Sequence, residues 1–246
     1  MTLLSVRGVK VAFGGVKAAD GVDLDVNAGE FLAIIGPNGS GKTTFINLAT
    51  GYVKPQAGSI HLDGRDITRL KPRQITRLGI ARAFQIPQLF TDHTVLENLM
   101  LAVAAEAGFW RWQSPLGIPS VREAATALLD TVGLADLAET DSAALPEGGR
   151  KLTDIALALA LKPRLLLLDE PTAGVSSDEK FPLMDRLAAV LRERGVTAVF
   201  VEHDMDLVRR YADRVVVWSQ GRVAAEGAPD TVLADPAVLR DVVGVI

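Results

Sequence analysis

A continuous apolar run, Phe31–Ile35, passes without a spacer into Gly36, Pro37, Asn38, Gly39, Ser40, Gly41, Lys42, Thr43 and Thr44, and a helical pattern follows through Leu48. Few sequence features restrict a fold more. A short run with no polar alternation marks a strand buried on both faces, the habit of parallel sheets covered by helices. The segment after it satisfies G-x-x-x-x-G-K-[ST] in full. Glycines at these positions let the backbone curl until consecutive N–H groups face inward around phosphate oxygens. The Lys42 ammonium then reaches the outer phosphates, and the Thr43 hydroxyl can ligate Mg²⁺. A chance glycine-rich turn shares the composition but not the position between a buried strand and a helix start.

Residues 165–168 form a second buried apolar run, closed by Asp169, Glu170 and Pro171. In a parallel sheet the carboxyl ends of the strands face one crevice, so this acidic pair is expected beside the phosphate loop. There Asp169 can hold Mg²⁺ through water, and Glu170 can polarise the water that attacks a γ-phosphate. Alone, two acids after a strand equally describe a helix N-terminus. A third apolar run, 196–201, delivers Glu202 and His203 to the same edge. An isolated His is more often a cap or a satisfied surface group. Three strands delivering polar residues to one edge favour a γ-phosphate sensor. Gln85 is uninformative by itself.

The rest of the chain is consistent with an α/β fold. Residues 3–13 and 22–26 alternate apolar and polar, with turn signals at Gly14, Gly15 and Gly29. Residues 59–62 and the Asp63, Gly64 turn add more sheet. Helical periodicity covers 94–105, 121–137 and 151–161, while 108–120 holds two of the three Trp and reads as an insertion loop. Helices over 177–194 and 204–211 alternate with the buried strands, and 215–223 reads as a hairpin around Gln220 and Gly221. The chain of 246 residues has a net charge of −4, which supplies no bulk basic field for nucleic acid. It has no Cys and only three His, which excludes disulfides, thiolate metal sites and a thiol nucleophile. The N-terminus lacks a signal-peptide core, and the longest apolar runs, 99–105 and 155–161, fall far short of a span of about 20 residues. The expectation is a soluble, cytosolic chain.

Together, GPNGSGKTT, Phe84 with Gln85, LLLLDEP and VEHD, in this order, resemble the nucleotide-binding subunit of an ATP-binding cassette (ABC) transporter. The resemblance covers essentially the whole chain. It implies a P-loop NTPase core with an N-terminal antiparallel β subdomain and a helical insertion: one ABC domain over 1–246, divided at 1–85, 86–161 and 162–246. It further implies that Phe13 stacks on adenine and that Gln85 joins the Mg²⁺ shell and couples the site to a membrane partner. His203 matches the family's switch histidine. FGGVKA, ARAFQIPQLF, TVLENLMLA, VEHDMDLV and the tail ADPAVLRDVVG look most like the ATPases of branched-chain amino-acid and amide importers. The implied partners are permease subunits, a second ATPase subunit and, indirectly, a periplasmic or extracellular solute-binding protein. The implied place is the cytoplasmic face of the cell membrane.

One stretch departs from the family pattern. Where ABC subunits carry LSGGQ, whose Ser and Gly amides clamp the γ-phosphate on the opposite subunit, this chain has Leu145, Pro146, Glu147, Gly148 and Gly149. Aligned at Leu145, Pro146 replaces the Ser and Glu147 the first Gly; slid by one residue, Glu147 falls at the Ser, so in either register the hydroxyl is lost and a carboxylate enters. Gly148 and Gly149 are the remaining candidate phosphate contacts. The departure favours a heterodimer, with a homodimer as the other arrangement. Three alternatives stand beside a branched-chain amino-acid or amide importer: an importer ATPase for another small solute, a poorly hydrolysing partner subunit, and a soluble ABC ATPase without a permease.

Overall fold

A computed structural model of the chain describes residues 1–108 and 118–243. Strands β1 (Thr2–Phe13) and β2 (Val16–Asn27) form a hairpin turned by Gly14 and Gly15. β2 starts well before the expected residue 22, because Lys17, Asp20 and Gly21 interrupt the apolar alternation without ending the pairing with β1. The central strand β3 (Phe31–Ile35) lies where its apolar run predicts, and α1 (Lys42–Ala49) follows the glycine loop. β4 (Ala57–Leu62) pairs with the other side of β1 and turns into the short β5 (Arg65–Asp66), completing a four-stranded antiparallel sheet. Helix α2 (Pro72–Arg77) and strand β6 (Ile80–Ala83) come next. Neither was visible in the sequence pattern.

Residues 86–161 supply α3 (Val95–Glu106), α4 (Pro119–Val132) and α5 (Glu147–Ala160). Thr94 caps α3, accepting from the Glu97 amide while the Glu97 carboxylate accepts from the Thr94 amide. The helix expected over 121–137 stops at Val132, since Gly133 takes a left-handed conformation (φ +70°) and residues 135–137 form only a 3-10 turn. α5 begins at Glu147 rather than at the expected Lys151, with Pro146 as its N-cap. Most of the expected insertion loop over 108–120 lies outside the described residues, and its end already belongs to α4.

The last third alternates as expected: β7 (Leu165–Asp169), α6 (Ser177–Glu193), β8 (Thr197–Val201), α7 (Met205–Tyr211), β9 (Arg214–Ser219) and β10 (Arg222–Gly227). Two further helices, α8 (Pro229–Leu233) and α9 (Pro236–Val243), follow. The second sheet has the order β10-β9-β3-β8-β7-β6, with all neighbours parallel except the β9–β10 hairpin.

The inner strands β3, β7 and β8 are buried on both faces, and successive residues alternate between them. Leu32, Ile34, Leu165, Leu167, Val199 and Val201 pack toward α1 and the antiparallel sheet. Ala33, Ile35, Leu166, Leu168, Ala198 and Phe200 pack against the helices of the other side, including α3, α4 and α5. Two apolar faces per strand explain why these runs show no polar alternation. The carboxyl ends of β3, β6, β7 and β8 open on one edge, where each delivers a polar segment. Among the described residues no helix is long and apolar enough to cross a membrane.

Candidate functional site

The loop between β3 and α1 is held from below by backbone and an indole. A Cβ on Gly36 would lie 2.1 Å from the Trp218 carbonyl oxygen, and one on Gly41 2.1 Å from that of Ala18. Gly41 has φ +112°, a region that side chains disfavour by about 1–3 kcal/mol. The loop therefore lies directly on β2 and β9, with its other face outward. The first-turn amides of α1 have no intrahelical acceptor, so they and the helix dipole favour an anion there. The Lys42 ammonium bonds the carbonyls of Gly36 (2.7 Å) and Pro37 (2.9 Å), and burial pushes its pKa down. The Ser40 hydroxyl is buried with no hydrogen-bond partner among the described residues. We expect Gly41→Ala to lose nucleotide binding and to lower the unfolding temperature, measured by nucleotide titration and thermal melting. Parental affinity in this variant would contradict the close approach to Ala18.

At the end of β7, Asp169 is buried and Glu170 is partly open. Asp169 Oδ1 accepts from the Thr43 hydroxyl at 3.5 Å, which joins the strand to the phosphate loop. Its Oδ2 is 2.7 Å from Arg82 of β6, and Arg82 also donates to Asn47 of α1 (2.6 Å). Glu170 stands in a left-handed backbone conformation (φ +53°). Its Oε2 accepts from Gln85 Nε2 at 2.8 Å, and its Oε1 is 3.0 Å from His203 Nε2. Sequence distances of 85 and 33 residues are thus closed around one carboxylate. Beside it a cavity of about 500 Å³ is lined by Glu170, Thr172, Gly174 and His203. Glu202, almost fully buried, also lines this cavity, accepting from the Thr172 hydroxyl (2.7 Å) and the His203 amide (3.2 Å), and burial pushes its pKa up.

The structure brings Thr43, Asp169, Glu170, Gln85 and His203 into one connected set. Phe13 is exposed at the end of β1, where it pairs with Val16 of β2, and none of the bonds above reaches it. Gly148 and Gly149 lie in the first turn of α5, and Gly149 is buried. Three further residues packed around the site are not marked by any motif. A charge inside the buried run Ile80–Ala83 was the available signal for Arg82, and a Lys on the apolar stripe of α5 was the signal for Lys151. Trp218, under Gly36 and Gly41, had none beyond its place in an apolar strand.

The donors fit Mg²⁺ chemistry. A hard cation of this kind takes one or two protein oxygens and completes its shell with phosphate and water. The hydroxyl of Thr43 facing the carboxylate of Asp169 is such a sparse oxygen set, and among the described residues no cluster of three His, Cys, Asp or Glu offers a denser one.

Comparison with known proteins gives a consistent result. A profile of the ABC transporter family matches residues 19–173. The high-affinity branched-chain amino acid transport ATP-binding protein LivG of Escherichia coli (strain K12) is 36% identical over 249 residues, covering 98% of each chain. Its counterpart BraF of Pseudomonas aeruginosa is 37% identical over 251 residues, again covering 98% of each. The solved ADP conformation of MJ1267, an ATP-binding cassette of an ABC transporter, superposes with a TM-score of 0.86 at 33% identity, covering 100% of both chains. Clostridium perfringens cbiO1, part of the ABC transporter complex cbiONQ, gives 0.83 at 30% identity, covering 97% of this chain and 93% of that one.

Proposed function

Because this chain belongs to the ABC transporter family, we propose that it hydrolyses ATP to drive a permease that imports branched-chain or related amino acids or amides. The observation that carries the ATPase reading is Glu170, held between Gln85 and His203 at the strand edge beside the phosphate loop. The solute class rests on the full-length similarity to LivG and BraF.

In this reading the amides of residues 36–44 and the Lys42 ammonium bind the phosphates, and Phe13 stacks on the adenine. Thr43, Asp169 and Gln85 would hold Mg²⁺, which supplies charge neutralisation along the phosphates. Arg82 fixes the Asp169 carboxylate, and losing either partner of so buried a pair costs about 3–5 kcal/mol. Glu170 takes the proton of the attacking water, and His203 orients that carboxylate and senses the γ-phosphate. Gly148 and Gly149 face the nucleotide of a second ATPase subunit. Ile86 and Phe90, exposed in the segment after Gln85, offer an apolar contact to the permease.

The test is reconstitution with the permease, second ATPase and solute-binding protein in vesicles. ATP-dependent accumulation of leucine, isoleucine or valine is expected. Solute-independent ATPase activity without accumulation of any of these, or of an amide, would sink the importer reading.

A further inference from the structure

Two buried ionisable side chains of α5 take no part in the chemistry above. Lys151 and Asp154 lie three residues apart, hence on one helix face, and both are almost fully buried. Lys151 Nζ donates to the carbonyl oxygens of Gln85 and of Glu170, the latter at 3.2 Å. Asp154 accepts from the amides on both sides of Gln85: Phe84 at 2.7 Å through Oδ2 and Gln88 at 3.1 Å through Oδ1. One helix face therefore grips the backbone that presents Gln85 and the backbone that presents Glu170. The Glu170 carbonyl also accepts from the Ala173 amide (3.1 Å), and its own amide donates to Val201 (3.1 Å). The Lys151 bond is the one that ties this left-handed residue to a helix.

Burying such groups is costly, and apolar residues of similar volume would pack α5 at least as well. Desolvation lowers the Lys151 pKa and raises that of Asp154, so both charges are held against a penalty. What they obtain is position. α5 begins at Pro146 and Glu147, the segment aligned with the family signature. A shift of this helix would move Gln85 and Glu170 together.

We propose that Lys151 and Asp154 form a clasp linking the start of α5 to Gln85 and Glu170, with Lys151 the positioning residue for the catalytic carboxylate. Contact between α5 and a second ATPase subunit is thereby transmitted to hydrolysis at this chain's own phosphate loop. The proposal rests on the reading of Glu170 as the group that activates water.

Lys151→Met, Lys151→Arg and Asp154→Asn would be compared with the parental chain in the assembled transporter. Nucleotide affinity, turnover and amide hydrogen exchange over 84–88 and 169–173 would be measured. Lys151→Met should bind ATP within about twofold of the parent, because Lys151 bonds no part of the loop 36–44. It should turn over up to about 100-fold more slowly, the usual cost of a small misplacement. Exchange should accelerate in both segments for Lys151→Met and over 84–88 for Asp154→Asn. Lys151→Arg should restore most of the turnover. Parental turnover and exchange in Lys151→Met would overturn the clasp, as would an equal loss of ATP affinity and turnover. Hydrogen exchange does not depend on Glu170 being the base, so a failure of that assignment is read separately, from Glu170→Gln.

Discussion

Glu170→Gln is expected to bind ATP as well as the parental protein and to hydrolyse it about 10²–10⁴-fold more slowly, the range for losing a general base. The substitution keeps the volume, and one amide oxygen still accepts from Gln85 or His203. What disappears is a group able to take a proton from water. Nucleotide affinity should hold or rise, because Glu170 makes no bond to residues 36–44 and its negative charge near Lys42 opposes a triphosphate. Single-turnover hydrolysis and nucleotide titration on the same preparation separate the two effects. A variant that turns over at the parental rate would move the catalytic role elsewhere, with His203 first in line.

The parts of the fold that were legible in the sequence are those whose physics is local. Phe31–Ile35 is a strand because five apolar residues followed by a glycine loop fit little else, and Leu165–Asp169 repeats the argument. Ile80–Ala83 obeys the same rule but contains Arg82, a charge that looks like a surface residue until Asp169 is placed 2.7 Å away. That pairing spans 87 positions, and no window of sequence contains it. The apolar periodicity places the start of α5 at Lys151 because Gly148 and Gly149 disfavour a helix, whereas Pro146 caps one that starts at Glu147. The site divides in the same way. The phosphate loop is a contiguous motif legible in its own window, and the acidic pair gains its meaning only beside that loop. Gln85 is one solvated-looking amide among many until the fold sets it against Glu170.

The second large effect concerns Pro146 and Glu147. A complete signature would offer its hydroxyl and the open amides of a helix start to a phosphate on the opposite subunit, a favourable site for an anion. In this chain Pro146 has no N–H to offer, and Glu147 already places a carboxylate in the first turn of α5. That carboxylate is favourable for its own helix dipole and therefore competes with any phosphate brought to the same amides. Its side chain lies against Gly174, where a Cβ would meet Glu147 Cγ at 3.2 Å, so it belongs to the loop that follows Glu170. Losing charged hydrogen bonds costs about 1.5–3 kcal/mol each, which is roughly 10- to 150-fold in affinity for the transition state. A homodimer carries this defect at both sites. A pair with a different ATPase subunit bearing a complete signature keeps one good site, built on Lys42 and Glu170 of this chain. The isolated chain is therefore expected to hydrolyse ATP slowly, and the assembled heteromeric transporter at least about tenfold faster, one lost charged bond being worth that much. Pro146→Ser with Glu147→Gly should raise the activity of the isolated chain by a similar factor. If the unaltered chain already matches the double variant, or forms a fully active homodimer on its permease, the signature difference does not limit turnover and the asymmetric pairing falls with it.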